Sequence, residues 1–182
     1  MIPGWLPDGA VAYLAHTAEG LPIRAVARAR GCHASTVLRQ IRRMEAWRDD
    51  PLIDEALERI AREHAADLSA RVSKELPSMP QPAVQPADAW DPRIDREARR
   101  ILRRLCEKGA FLAVAPSMEK AVVLREVVPG KTNRIAVVDR EVAHAFALQE
   151  WITCSKAGKI ACYAISPVRS RFSAARPTGL LE

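Results

Sequence analysis

The side chains best suited to chemistry in this sequence are arginines and a glutamine that lie close together between positions 35 and 43. Arginine can bridge the O6 and N7 acceptors of guanine, and glutamine can pair with N6 and N7 of adenine. Arg39 and Gln40 are therefore the expected base contacts. The neighbouring hydroxyls and cations suit phosphate oxygens, and they are Ser35, Thr36, Arg42 and Arg43. This group of residues predicts double-stranded DNA as the partner.

A concentrated positive charge surrounds these residues. Positions 20–48 hold seven arginines against the single acid Glu45, which gives this stretch a net charge of +6. Residues 49–75 reverse the sign, with four cations and eight acids, and residues 93–182 carry 17 cations and nine acids. If about six of the seven arginines meet phosphates, the logarithm of the affinity should fall against the logarithm of the salt concentration with a slope near −5.

Three consecutive helices are expected to position this surface. Proline in a first turn, a serine cap at the start and a glycine at the end are typical helix boundaries. The predicted helices cover residues 7–18, 22–31 and 35–47, with Ser35 as the expected cap of the third. Apolar residues recur at helical spacing in the third segment and are expected to face a core, as Val37, Ile41 and Met44.

The spacing across the second and third segments is typical of a helix-turn-helix. A small residue, a glycine and two apolar anchors follow at steps of four, six and four, as Ala27, Gly31, Val37 and Ile41. In that arrangement the later helix enters a major groove. Arg24 and His33 complete the expected DNA contacts of this part. The alternative is a small helical bundle with a solvated basic face.

A fourth helix is predicted over residues 51–72, which carry acids in the early turns and an apolar stripe. Its negative charge does not favour DNA. It either packs over the bundle or pairs with its copy in a homodimer that would bind two half-sites.

The expected organisation has four parts. Residues 1–75 form a helix-turn-helix domain with the additional acidic helix, and the five prolines of residues 76–92 form a semi-rigid linker. Residues 93–167 form a second domain, followed by a flexible tail at residues 168–182. The predicted fold class is mainly α with a smaller α+β part.

The second domain is predicted to be winged-helix-like. A basic helix at residues 93–108 is followed by strands between positions 110 and 138, a helix from Asp139 and a closing hairpin. Lys156 and Lys159 lie at the tip of that hairpin and are expected to touch phosphates. A protein-docking role for this domain is the alternative.

Catalysis has little support in the sequence. It contains no GxSxG, P-loop or HExxH motif, and its histidines have no visible nucleophile or metal partner, so no enzyme, cofactor or metal is expected. The cysteines lack metal spacing and are expected to be reduced and mostly buried, at positions 32, 106, 154 and 162. No apolar run could span a membrane and no secretory signal is visible, which predicts a cytoplasmic, nucleoid-associated protein.

With these motifs in place, the chain resembles the gene transfer agent activator family of alphaproteobacteria, GafA and its split relatives. The similarity lies in residues 5–57, WLPDGAVAYLAHTAEGLPIRAVARARGCHASTVLRQIRRMEAWRDDPLIDEAL, and in GAFLAVAPSMEKAVVLRE and VAHAFALQEWITC further on. The resemblance implies a transcription activator that binds promoters of phage-like gene clusters and contacts RNA polymerase. In fused members a further C-terminal domain, associated with the polymerase contact, follows.

Two other classes of function stay open. A recombinase or small-terminase DNA-binding subunit would share the helix-turn-helix but act at recombination or packaging sites. A protein-interaction adaptor would use the same bundle without DNA.

Overall fold

The computed structural model describes residues 3–73 and 92–166, with side chains up to His64 in the first range. The chain divides into two compact units, Met1–Pro92 and Arg93–Glu182. The described residues contain six helices and one five-stranded antiparallel sheet, so the predicted mixture of α and β structure is confirmed. None of the described helices combines the length and apolar character that a membrane span requires.

The first unit is helical. Its elements are α1 (Asp8–Thr17), α2 (Ile23–Ala29), α3 (Ala34–Trp47) and α4 (Pro51–Ser73). Helices α1 and α2 each follow a proline in extended conformation, because proline has no amide hydrogen to lose at a helix start. Helix α3 packs against both α1 and α2, and the predicted core residues are buried there, namely Val37, Ile41 and Met44.

The turn between α2 and α3 depends on Gly31. Its φ of +59° lies in the left-handed region that glycine adopts without strain. The Gly31 amide donates to the Arg28 carbonyl at 3.2 Å, and the Cys32 amide donates to the Ala27 carbonyl at 3.0 Å. These two bonds form a Schellman motif, which ends α2 and turns the chain toward α3.

The start of α3 differs from the prediction. The helix begins at Ala34, and His33 occupies the capping position without a side-chain cap bond. Ser35 is therefore the second residue of the helix rather than its cap. The Schellman turn sets the entry of the chain, so a side-chain cap is not needed to fix the direction of α3.

Helix α4 packs against α1 and α2 through its predicted apolar stripe, of which Ile53, Leu57 and Ile60 are buried. Arg48, just after α3, donates hydrogen bonds to Asp54 of α4 and to the Tyr13 hydroxyl of α1. This guanidinium joins three helices. The helical geometry is interrupted at His64.

The second unit contains α5 (Pro92–Leu105), β1 (Ala110–Val114), β2 (Lys120–Val128), β3 (Lys131–Asp139), α6 (Arg140–Leu148), β4 (Ile152–Lys156) and β5 (Ala161–Ile165). The strand order is β3-β2-β1-β5-β4, and every neighbouring pair is antiparallel. Strands are present between positions 110 and 138 and in the closing hairpin, as the sequence predicted. Helix α6 is buried from Val142 through Leu148.

The closing hairpin is part of a larger sheet. Strand β5 pairs with β1 as well as with β4, so the predicted hairpin forms one edge of the five-stranded sheet. The cysteines differ from the prediction too, because Cys106 is exposed and the other three are half-buried. The predicted linker, apart from Pro92, and the predicted tail lie outside the described residues.

Candidate nucleic-acid interface

The outer side of α3 is a narrow stripe of exposed polar and cationic residues. Residues three or four apart share one side of a helix. The exposed members of the predicted set follow this spacing and are Ser35, Arg39, Arg42 and Arg43. The buried residues of α3 lie on the opposite side, so packing against α1 and α2 turns this stripe toward solvent. We call these four residues the α3 stripe.

Helix α2 adds two cations to the same unit. Arg24 and Arg28 are four residues apart on α2 and both are exposed. No ion pair within the described residues involves these two arginines. The same is true of Arg39 and Arg42 of α3. Four guanidinium groups of the first unit are therefore available to an external anion.

Arg43 differs from these four because it lies over an aromatic ring. Its guanidinium carbon is 4.4 Å from the centroid of the Trp47 ring, one helical turn further along α3. Such a cation–π contact restrains the side chain while leaving its charge and its outer edge exposed. Arg43 therefore presents a positive charge in a restrained position at the C-terminal half of the stripe.

Two of the seven arginines in positions 20–48 are held by carboxylates. Arg30 lies 2.9 Å from the Asp8 carboxylate of α1. Arg48 contacts Asp54 and Glu58 of α4. The hydrogen bonds that Arg48 donates to Asp54 and then to Tyr13 raise the pKa of its guanidinium above its ordinary value. Both arginines join helices within the unit and are therefore not available to an external anion.

Gln40 is placed differently from the outward position that the sequence predicted. Its side chain is half-buried, and its Cβ and Cγ lie close to Gly9 of α1. The Oε1 atom is buried without a hydrogen-bond partner. A bidentate contact with adenine needs this oxygen to accept from N6 while Nε2 donates to N7. In the observed rotamer Gln40 cannot make that contact.

The remaining predicted residues of this unit flank the stripe. His33 is exposed immediately before α3, whereas Thr36 is half-buried in its first turn. Arg28 was not among the predicted contacts, although its spacing of four from Arg24 is a signal that the sequence contains.

The predicted residues of the second unit lie on the β4–β5 hairpin. Lys156 and Lys159 are exposed there, and neither has an ion pair within residues 92–166. Each compact unit carries its own predicted residues.

The basic helix α5 contrasts with α3. Its arginines pair with carboxylates, as in Arg99–Asp95 and Arg100–Glu97 at 2.6 Å each. Glu107 accepts hydrogen bonds from Arg104 of α5 and Arg125 of β2. These arginines, Arg104 first, hold the pKa of the Glu107 carboxyl below its ordinary value. The charge of α5 is partly neutralised locally, which makes it a weaker anion-binding surface than α3.

The described part of the chain contains no group of three or more His, Cys, Asp or Glu side chains that could hold a metal ion. No protein-family model, curated protein or solved structure matches the chain. The residues and their geometry therefore carry the functional argument.

Proposed function

We propose that the chain is a sequence-specific DNA-binding transcription regulator, an activator of a gene transfer agent or phage-like gene cluster. In this proposal α2 and α3 are a helix-turn-helix and α3 is the recognition helix in the major groove. The observation that carries the proposal is the α3 stripe, in which Arg39 and Arg42 are exposed without an intramolecular ion pair in the described residues.

The shape of the unit supports this arrangement. A major groove about 12 Å wide admits one helix, and its base edges are read by side chains on that helix's outer side. The apolar side of α3 is held by α1 and α2, and the turn at Gly31 separates α2 from α3. The stripe can therefore enter a groove while Arg24 and Arg28 of α2 remain available to phosphates.

Within the stripe, Arg39 is the proposed base contact and Ser35, Arg42 and Arg43 are proposed phosphate contacts. Gln40 leaves the set of base contacts because its amide oxygen is buried. Lys156 and Lys159 are proposed phosphate contacts of the second unit. RNA polymerase and a second copy of the chain remain proposed partners.

Genome-wide mapping of the DNA bound by the full chain tests this function. We expect enrichment upstream of genes, and loss of the enriched sites in the Arg39→Ala variant. Enrichment at packaging or recombination sites would instead favour a DNA-processing subunit. Absence of any enrichment, together with a mobility shift that Arg39→Ala leaves unchanged, would favour a protein-interaction adaptor.

A further inference from the structure

The β2–β3 hairpin extends beyond the rest of the sheet as a two-stranded ribbon of residues 126–132, with Asn133 and Arg134 at its base. Strand β1 pairs with β2 only as far as Ala110↔Arg125, whereas β2 and β3 remain paired out to Val128↔Lys131. Every residue from 126 to 134 is exposed. Both surfaces of this ribbon are therefore open to solvent.

Local hydrogen bonds fix the ribbon at its tip and at its base. Gly130 takes a φ of +82° at the tip, and its amide donates to the Glu126 carboxylate at 3.0 Å. At the base, the Glu126 amide donates to the Gly109 carbonyl at 2.9 Å. The ribbon is thus ordered before any partner binds, which lowers the entropic cost of binding.

The tip combines apolar side chains with cations. Val127 and Val128 are 55% and 54% exposed, and Pro129 beside them is exposed as well. The strand register is irregular between Glu126 and Val128, so the two valines lie at a bulge next to the turn. Lys131 and Arg134 follow and have no ion pair within residues 92–166. The one acid of the ribbon, Glu126, is engaged by the Gly130 amide.

We propose that this ribbon is a second DNA-contacting element, which inserts its apolar tip into the minor groove and places Lys131 and Arg134 at phosphates. Two-stranded ribbons fit DNA grooves, and apolar wedges between base steps partly unstack them and bend the duplex. The inference rests on the proposed function, since it takes duplex DNA as the ligand. It adds a bend in the bound DNA, which the α3 stripe alone does not require.

The ribbon is distinct from the β4–β5 hairpin. Strand β1 is antiparallel to β2 and to β5. Its first residue, Ala110, pairs with Arg125, which lies next to the ribbon. Its last residue, Val114, pairs with Ala161, which lies next to the tip of the β4–β5 hairpin. The two hairpins therefore lie at opposite ends of the sheet, and substitutions in one can be compared with matched substitutions in the other.

The test measures binding and bending with the full chain. The probe is a short A·T-rich duplex with a donor and an acceptor dye at its ends, with affinity measured by fluorescence anisotropy and bending by energy transfer. The double variant Val127→Ser/Val128→Ser should bind about threefold to tenfold more weakly and lose most of the bend. Ile160→Ser is the matched control, because Ile160 is 56% exposed on the other hairpin.

A second comparison isolates the charge. Arg134→Ala should make the salt slope of binding less steep by about 0.9, the contribution of one phosphate contact. Arg103→Ala removes another exposed arginine, on α5, and should leave the slope unchanged. All these substitutions are at exposed positions, and equal melting temperatures would show that each variant is folded.

The outcomes separate the ribbon from the proposed function. If the wild-type chain binds the duplex but the double valine variant has the same affinity and the same bend, the ribbon inference is wrong while the proposed function stands. If the wild-type chain does not bind duplex DNA, both are wrong. Loss of the bend in the valine variant but not in Ile160→Ser supports the ribbon.

Discussion

At the level of single residues, the arginines of positions 20–48 differ in what they contact. Arg30 and Arg48 join helices through carboxylates, and Arg43 lies over Trp47. Arg39 and Arg42 extend from the outer side of α3 without an ion pair in the described residues. Net charge is therefore a poor guide to this surface, because only the unpaired or outward-facing guanidinium groups can replace counterions on DNA.

Arg39 gives the sharpest prediction for sequence recognition. Replacing a bidentate guanine contact should cost about 1 to 3 kcal/mol of binding and relax the preference at one base pair. Selection from random DNA with the wild-type chain supplies the duplex, and anisotropy titrations compare it with single-base variants of that duplex. Arg62→Ala removes an exposed arginine of α4 and serves as the control. Equal losses in the two arginine variants would contradict a specific role for Arg39.

Gln40 gives a prediction of the opposite kind. An unsatisfied buried polar atom destabilises the folded state, so Gln40→Met should raise the free energy of unfolding by about 1 kcal/mol. Affinity for the selected duplex should remain the same. Chemical denaturation and the anisotropy titration measure the two quantities. A marked loss of affinity without a gain in stability would show that Gln40 contacts a base.

The sequence predicted that Gln40 faces outward, whereas its side chain is half-buried. Helical spacing correctly identified Val37, Ile41 and Met44 as buried. Position 40 lies at the border between the two sides of α3, and its side chain packs beside Gly9 of α1. A contact between residues 31 positions apart has no signature in local periodicity.

At the level of elements, the turn between α2 and α3 makes the first unit sensitive to Gly31. Space is not limiting, since no atom lies within 4 Å of an added Cβ at Gly31, but its φ of +59° is unfavourable for a side chain. Gly31→Ala should therefore lower the stability of the unit by about 1 kcal/mol. Asparagine tolerates this conformation better, so Gly31→Asn should lose less. Equal losses in thermal melts would contradict a conformational cause.

The link between α5 and β2 gives a prediction for pH. Glu107 accepts from Arg104 and Arg125, and its pKa is lowered in the folded protein. A carboxyl with a lowered pKa stabilises the fold above its unfolded pKa, and this contribution is lost as the pH falls through the folded pKa.

Glu107→Gln should therefore melt at a slightly lower temperature than the wild type at neutral pH, and the difference should vanish in acid. The effect is small because the carboxylate is open to solvent. Melting curves recorded across the acidic range measure it. Glu97→Gln breaks an ion pair confined to α5 and should change the melting temperature less. A difference between Glu107→Gln and wild type that persists in acid would show that packing is responsible.

Elements were easier to predict than their arrangement. The sequence pattern correctly predicted strands between positions 110 and 138 and the closing hairpin of the second unit. The pairing of β5 with β1 was missed, because strands more than 40 residues apart along the chain are brought together only by packing. The length of the β2–β3 ribbon was also missed, since it depends on where pairing with β1 ends.

At the level of the whole molecule, the chain consists of two compact units, and each has exposed cations on its own elements. The first unit offers the α3 stripe with two arginines of α2, and the second offers two hairpins. Linked contacts raise the overall affinity because the second contact forms within an already bound complex. The affinity of the full chain for duplex DNA should therefore fall more steeply with salt concentration than contacts by the arginines of the first unit alone would cause.

The salt dependence of duplex binding by the full chain tests the central claim most directly. Three arginines of the first unit that are offered to phosphates have no ion pair in the described residues, namely Arg24, Arg28 and Arg42, so the logarithm of the affinity should fall against the logarithm of the salt concentration with a slope of about −2.7 or steeper. The double variant Arg39→Ala/Arg42→Ala should bind more weakly, and its slope should be less steep by about 0.9 because Arg42 is the phosphate contact of the pair. A nearly flat dependence for the wild type, or a slope that the double variant leaves unchanged, would contradict DNA binding by the α3 stripe.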